Sequence, residues 1–299
     1  MQGFLKKVTI FLFILLCYFT LLYFVNLTII QKKNIGWKNC ELLIAGDSHT
    51  QRALDPKLAQ SAINISQEAE PYCITYWKLK KYISRNTPSI IILGFSPHNL
   101  SSFNDKKFSD KQWADEMFKR IYSMKNFSLP SNVRIDKYEF YKTKFHLMCL
   151  YPRLNPFDYK GGYSNVNAGD ISDVNEAIKR HFFYNGSEAD LSNVSAEYLD
   201  SITLLCKNKK IQLAVIATPT YYSYFSGIPK KFADYYDLEK EKLSKAGVIV
   251  LDFSSERYPD NFYLNADHLN ARGAEKFTNQ IVELLSVDKI NKSNLESRK

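Results

Sequence analysis

Hydrophobic and polar positions divide the chain into two regions. Residues 8–30 read VTIFLFILLCYFTLLYFVNLTII and contain no charge. As a helix, this run would rise about 34 Å, which is enough to cross a bilayer core of about 30 Å. From residue 41 onward, short apolar runs alternate with amphipathic stretches. The pattern therefore predicts one apolar helix followed by a folded α/β domain.

Five apolar runs of the second region indicate buried strands, because each run is continuous and does not alternate with polar residues. They are residues 41–45, 62–65, 89–93, 212–217 and 248–251. Helical patterns occur at residues 71–84, 195–207, 232–246 and 273–285. Strands alternating with helices favour a doubly wound, parallel, five-stranded sheet with helices on both faces and a site at the carboxyl ends of the strands.

These elements define the expected organisation of the chain. We expect an anchor and linker over residues 1–37, the α/β domain over residues 38–287, and a polar tail over residues 288–299. Residues 102–190 carry a weaker pattern, with one helix predicted at 110–123. We interpret that stretch as a long insertion within the α/β domain.

The apolar run at residues 8–30 determines where in the cell we expect the protein to be. It is longer than the apolar region of a secretory signal, and Lys32 and Lys33 follow it without a small-residue cleavage pattern. We therefore interpret it as an uncleaved transmembrane anchor. Lysines flank both ends, so charge orients the helix only weakly. The short amino-terminal flank favours a cytoplasmic amino terminus and a periplasmic or extracellular catalytic domain.

Charge and cysteine content narrow the classes of partner. The net charge is +9, but the basic residues are scattered, so we expect no nucleic-acid partner. We find no CxxC pair, metal-ligand cluster or glycine-rich phosphate loop, so no cofactor or metal is predicted. The cysteines apart from Cys17 are compatible with disulfides in an oxidising compartment and equally with buried free thiols.

Two polar segments lie where such a sheet would place a site. Gly46, Asp47 and Ser48 follow the first strand, and His268 precedes the last helix. A serine hydroxyl needs a neighbouring base before it can act as a nucleophile, and an imidazole provides one. We therefore expect Ser48 and His268 to meet at the carboxyl edge of the sheet.

The two segments together resemble the SGNH (GDSL-like) hydrolases. Gly46-Asp47-Ser48 after the first strand is similar to their first block, and His268 with Leu269-Asn270 and Gly273-Ala274 is similar to their last. The resemblance extends from about residue 40 to 287, apart from residues 102–190, and implies a flavodoxin-like SGNH fold. It also implies that Ser48 attacks an ester carbonyl and that His268 is the general base. The His268-Leu269-Asn270 segment and the predicted anchor look similar to those of SGNH-like proteins in bacterial cell-surface polysaccharide pathways, which include esterases and acyltransferases.

The resemblance also implies an oxyanion hole. The backbone N–H of Ser48 would be one donor. A family glycine that follows an asparagine by five residues corresponds to Ala69, whose N–H can serve if its φ is negative. The family's asparagine after the third strand corresponds to Ser96, and Asn99 is an alternative. Losing one such donor typically costs about 2.7–4 kcal/mol of transition-state stabilisation.

The family acid, three residues before the histidine, is replaced by Asn265. Asp267 is adjacent to His268, and neighbouring side chains point apart in an extended segment. Three interpretations follow: Asn265 orients His268 through its carbonyl oxygen, Asp267 does so from a bent loop, or the enzyme is weakened or inactive. The resemblance thus implies a serine ester hydrolase or O-acyltransferase that acts on acylated glycan. The alternative is a catalytically weakened SGNH-like protein that binds glycan or a pathway partner.

Other polar and aromatic residues near these segments carry less information. Ser48 could merely cap a helix. We interpret His49 as structural, and His98 could touch substrate. His146 and His181 are taken as surface or core residues. The aromatic segment 221–225 could stack on sugars or pack a lid.

Overall fold

A computed structural model describes residues 1–33, 35–124, 127–167 and 169–296, with side chains as far as residue 285. The chain forms two compact units. Unit 1 comprises Met1–Trp37 and Lys106–Tyr159, and unit 2 comprises Lys38–Asp105 and Lys160–Lys299. The stretch 102–190, interpreted from sequence as one insertion, is thus divided between the two units.

Unit 2 contains the predicted parallel sheet. Its strands are β1 (Leu42–Ala45), β2 (Ala62–Asn64), β3 (Ile90–Gly94), β6 (Gln212–Ala217) and β7 (Ile249–Asp252). They pair in the order β2-β1-β3-β6-β7, and every pair is parallel. Two short strands, β4 (Phe183–Tyr184) and β5 (Ser187–Glu188), form a separate antiparallel hairpin. The sequence prediction of an α/β fold with a parallel five-stranded sheet is confirmed.

Helices of unit 2 cover both faces of the sheet. They are α2 (Ser48–Ala53), α3 (Tyr72–Ile83), α4 (Phe103–Lys106, at the unit boundary), α7 (Val174–Phe182), α8 (Asn193–Asn208), α9 (Tyr222–Ser226), α10 (Lys230–Lys245) and α11 (Ala271–Glu296). Alternate strand residues point to opposite faces, and both sets are buried. Ile44 and Ile92 pack with Phe277 of α11, whereas Leu43 and Ile91, which point the other way, are also fully buried. Continuous apolar strands are therefore required.

Helix α11 extends beyond residue 287, where the α/β domain is expected to end. Its backbone remains helical to Glu296, within the segment predicted to be a polar tail. Residues 297–299 of that tail lie outside the described residues. All five cysteines are unpaired in the structure.

Unit 1 consists of α1 (Gln2–Lys32), α5 (Ala114–Ile121) and α6 (Lys137–Cys149). Helix α6 packs against both α1 and α5. By length and composition, α1 is able to cross a membrane, and little of it is buried. The predicted apolar helix is thus present, and its carboxyl-terminal half packs within a small helical unit.

Candidate active site

The turn after β1 places Ser48 at the first position of α2. Gly46 has a φ of +136°, and a Cβ there would lie 2.7 Å from Oγ1 of Thr50, so the turn requires glycine. Oδ1 of Asp47 accepts a hydrogen bond from the N–H of His49 at 3.0 Å and caps the helix. As the first helical residue, Ser48 has a backbone N–H that intrahelical bonding does not use.

The turn before α11 positions His268. The N–H of Leu264 donates to the carbonyl oxygen of His268 at 2.8 Å. Oδ1 of Asn270 accepts from the N–H of Gly273 at 3.1 Å, as a helix cap does. A Cβ at Gly273 would lie 2.3 Å from the carbonyl oxygen of Phe262. The Leu-Asn-x-x-Gly pattern of the sequence therefore fixes where α11 begins, with His268 directly before it.

Ser48 and His268 lie within hydrogen-bonding distance although 220 residues separate them. Oγ of Ser48 is 2.8 Å from Nε2 of His268. Nδ1 of the same ring is 2.9 Å from Oδ1 of Asn265, which also accepts the backbone N–H of His268 at 2.9 Å. An amide oxygen can only accept, so Nδ1 carries the proton and Nε2 can accept the proton of the serine hydroxyl. This arrangement corresponds to the first of the three sequence interpretations.

The bent loop at residues 264–267 also brings the carboxylate of Asp267 close to His268. Its Oδ1 is 3.2 Å from Nδ1 of His268, although the two residues are adjacent in the chain. The expectation that neighbouring side chains point apart is wrong here, because the segment bends and is not extended. The second interpretation is therefore geometrically available as well, and Nδ1 faces an amide oxygen and a carboxylate together.

Asp267 is fully buried and faces several cationic or titratable groups. Oδ2 lies 3.5 Å from Nε2 of His49 and 3.6 Å from Nε2 of His181, and Oδ1 lies 3.5 Å from the guanidinium of Arg180. Burial opposes ionisation, but His268, His49 and His181 together hold the pKa of Asp267 well below its usual range. A negative charge therefore lies beside the imidazole that would accept the serine proton.

Three further imidazoles stack behind the Ser48–His268 pair. The ring of His98 stacks on that of His49 at 4.2 Å and on that of His181 at 4.7 Å. Nε2 of His98 is 2.7 Å from Oδ2 of Asp47, and Nδ1 of His181 is 2.6 Å from the hydroxyl of Tyr224. The cluster thus connects the ends of β1 and β3 with α7 and α9.

Burial and neighbouring charges divide these groups by their pKa. Burial, reinforced by the nearby charge of His49, lowers the pKa of His98 to about 4. Burial likewise lowers the pKa of His181. For His49, burial acts in the same direction, but Asp267 and Asp47 outweigh it and raise its pKa. Burial opposes ionisation of Asp47, yet His98 and His49 hold its pKa far below the ordinary value.

The expected oxyanion residues occupy different environments. Ala69 has a φ of +55°, so the negative φ that its N–H would need to serve as a donor is not present, and the alanine adopts the left-handed conformation typical of glycine. One amide hydrogen of Asn99 is donated to Oδ2 of Asp47 at 2.7 Å. Oδ1 of Asn99 accepts the N–H of Ser96 at 2.8 Å. Ser96 and Asn99 are therefore joined to Asp47, the residue before Ser48.

The loop that carries Ala69 is held by a buried ion pair. Nζ of Lys78 is 2.6 Å from Oε2 of Glu70 and donates to the carbonyl oxygen of Ile65 at 2.5 Å. Both charged side chains are fully buried. A pair in this position fixes the residues between Ile65 and Glu70 against α3.

Sequence reasoning missed part of this site. The sequence pattern indicates a surface or core residue at His181 and a structural role for His49, yet both rings lie close to Asp267. The guanidinium of Arg180 lies close to the same carboxylate. The only sequence cue was the position of His49 directly after Ser48. His146 belongs to unit 1 and is exposed. In the aromatic segment, Tyr224 is buried against His181 whereas Tyr222 is exposed.

One group of side chains could offer ligands to a metal ion. Donor atoms of His49, Asp267 and His268 lie within 4.8 Å of one another. Imidazole nitrogen and carboxylate oxygen are ligands of zinc. Nδ1 of His268 is also the atom that faces Asn265, so a metal there would compete with the orientation of the base.

Comparison with solved structures gives distant matches. A protein provisionally named a platelet activating factor, from Streptococcus pneumoniae, is 9% identical, with a TM-score of 0.44 over 94% of this chain and 98% of its own. A GDSL-like lipase from Bacteroides thetaiotaomicron is 8% identical, with a TM-score of 0.39 over 88% of this chain and 99% of its own. A family two carbohydrate esterase from Clostridium thermocellum, in complex with cellohexaose, is 11% identical, with a TM-score of 0.38 over 85% and 66%. No family model and no curated protein matches the chain.

Proposed function

We propose that the protein is a membrane-anchored SGNH-type serine ester hydrolase or O-acyltransferase that acts on acylated cell-surface or exopolysaccharide glycan. The observation that carries the proposal is the 2.8 Å contact between Oγ of Ser48 and Nε2 of His268, with Nδ1 of the same ring held by Asn265. Ser48 is only half-buried, so an ester carbonyl has access to its hydroxyl.

The proposed reaction proceeds through an acyl-enzyme. Nε2 of His268 takes the proton of Ser48 as Oγ attacks the ester carbonyl, and the resulting imidazolium then protonates the leaving alcohol. The backbone N–H of Ser48 donates to the oxyanion, and the Ser96–Asn99 segment is the further expected source of donors. Asp267 stabilises the imidazolium by its charge, and Asn265 keeps Nδ1 protonated. Water or a sugar hydroxyl then resolves the acyl-enzyme.

Labelling of the full chain with a fluorophosphonate, read by intact mass and peptide mapping, tests the nucleophile. We expect one adduct, on Ser48, and its loss in both Ser48→Ala and His268→Ala. His146→Ala, which removes an exposed histidine of unit 1, is the matched control and should label like the parent. Labelling of folded His268→Ala at the parental rate would refute the proposed base.

The acyl acceptor is tested separately with a ¹³C-acetyl ester as donor. A hydrolase releases labelled acetate whether or not a glycan is present. A transferase moves the label onto the sugar hydroxyl, and acetate release falls as the acceptor concentration rises. Ser48→Ala should abolish both routes, because both pass through the same acyl-enzyme.

Asn265 favours a second candidate, a glycan-binding protein with little catalysis. An amide in place of the acid carries no charge, and in a serine protease that exchange lowers turnover about 10⁴-fold. Absence of an adduct on the folded chain, together with measurable affinity for acetylated glycan, would support this candidate over the enzyme.

A further inference from the structure

Exposed apolar side chains occur along most of the length of α1. Phe4, Leu21 and Phe24 are exposed by 69%, 63% and 60%. From Phe4 to Phe24 the helix rises about 30 Å, which is the thickness of a bilayer's hydrocarbon core. If α1 is the anchor proposed above, the hydrocarbon must therefore extend to Phe24 to cover this surface.

Helix α6 packs against the carboxyl-terminal part of α1, whereas residues 2–14 of α1 are exposed on all sides. The rings of Phe19 and Phe145 meet edge to face with centroids 4.9 Å apart. Leu22 and Asn26 are the buried residues of α1. Because Phe19 and Leu22 lie between Phe4 and Phe24 along the helix, the carboxyl end of α6 lies at the depth of one leaflet.

Polar side chains of α1 satisfy the backbone at this end of α6. Nδ2 of Asn26 donates to the carbonyl oxygens of Met148 and Tyr151 at 2.9 and 3.0 Å. The hydroxyl of Tyr18 donates to the carbonyl oxygen of Leu150 at 2.8 Å. The last carbonyls of a helix have no intrahelical partner. Water satisfies them at an aqueous surface, whereas in hydrocarbon the protein itself must do so.

The same contacts explain a polar residue in an apolar helix. Asn26 is completely buried, and its Oδ1 accepts the backbone N–H of Arg153 at 2.7 Å. Nζ of Lys33 donates to the carbonyl oxygen of Leu154. Both ends of the Asn26 amide are thus used by the segment after α6. Removing α1 as a signal would leave these backbone groups without their partners.

Helix α6 also presents an exposed aromatic stripe that begins at α1. Tyr138, Tyr141 and Phe145 are separated by three and four positions, so they share one face, and all three are exposed. Aromatic side chains of this kind concentrate at the boundary between lipid and water. Lys144 is exposed on the same helix, where its ammonium group can reach lipid phosphates.

From these contacts we propose that unit 1 is a bilayer-seated module, with the carboxyl end of α6 and residues 148–151 buried in one leaflet beside a retained α1. The aromatic stripe then lies at the headgroup boundary of that leaflet. The inference rests on the proposed membrane anchoring and is independent of the Ser48 chemistry. Its partner is the lipid bilayer itself.

Photolabelling from the lipid side tests the seating. The full chain is reconstituted into vesicles of phosphatidylcholine and phosphatidylglycerol that contain a lipid with a diazirine in its acyl chain, and adducts are mapped by mass spectrometry. We expect adducts on the peptides of residues 4–24 and on those of 138–151. Adducts on α1 alone would overturn the seating of α6 and leave the anchor standing. Adducts on neither would overturn both.

Asn26→Leu tests the role of the polar side chains. The substitution preserves an apolar helix but removes the donors to Met148 and Tyr151, so amides of residues 149–154 should exchange hydrogen about tenfold faster in vesicles. Thr28→Val is the matched control, because the Thr28 hydroxyl bonds only the Phe24 carbonyl of its own helix. Equal exchange in the two variants would overturn the proposal.

Discussion

Asp267→Asn tests how a site with Asn265 in the acid position could remain active. The carboxylate lies 3.2 Å from Nδ1 of His268, and two charges about 4 Å apart interact by about 4 kcal/mol at an effective dielectric constant of about 20. Because Arg180 and His49 also interact with the charge of Asp267, we expect the substitution to remove about 2–4 kcal/mol of transition-state stabilisation. This corresponds to a fall of about 30- to 1,000-fold in kcat/KM for an acetyl ester.

That loss should be smaller than in an enzyme whose acid alone fixes the histidine. Asn265 still accepts the proton of Nδ1 at 2.9 Å, so the ring keeps its orientation and tautomer, and only the charge is removed. The double exchange Asn265→Asp with Asp267→Asn restores one carboxylate beside Nδ1 of His268 and should recover most of the lost kcat/KM. Melting temperatures measured in parallel separate catalysis from folding.

Two outcomes would refute this reasoning. If folded Asp267→Asn retains the parental kcat/KM, the carboxylate contributes nothing to the transition state. If the double exchange is as slow as the single one, the position of Asp267 matters for packing against His49 and not for charge. Asp170→Asn, which changes an exposed carboxylate, is the matched control and should have the kinetics of the parent.

The remaining predictions concern stability. Lys78→Met leaves the carboxylate of Glu70 buried without its cation and should lower the free energy of unfolding by about 3–5 kcal/mol, measured by urea denaturation. Adding Glu70→Gln should recover part of that loss. The lowered pKa of His98, about 4, means that unfolding releases the ring to bind protons below pH 6.5, so stability should fall from pH 6.5 to 4 by up to about 1.4 kcal/mol per pH unit. His98→Gln should flatten this decline while keeping a donor to Asp47.

Controls for both measurements lie on the surface. Lys57→Met removes an exposed lysine and should leave the urea midpoint unchanged, so an equal loss in both lysine variants would contradict the role of the buried pair. For the measurements at low pH, the control is His146→Gln, which removes an exposed imidazole. Its stability should fall between pH 6.5 and 4 as much as that of the parent. A parental decline in His98→Gln would show that another group takes up the protons.

The sequence by itself determined the sheet and the ends of the strands at which Ser48 and His268 lie. Continuous apolar runs at 42–45, 90–94 and 212–217 can be satisfied only by burial on both faces, which is why a parallel sheet between helices could be predicted. Gly46 and Asn270 are local requirements of their turns, because one allows a φ of +136° and the other caps α11. Such constraints act within a few residues, and they can therefore be recognised from the sequence.

Tertiary structure alone decided which polar groups surround that pair. The bend at residues 264–267 places Asp267 beside its own neighbour, and α7 brings His181 from a stretch with weak patterning. The burial of Asn26 by residues 148–153 depends on a contact across more than a hundred residues. Local sequence periodicity does not indicate such long-range contacts. They form when separate elements exclude water from the same volume and the buried polar atoms must hydrogen-bond to one another.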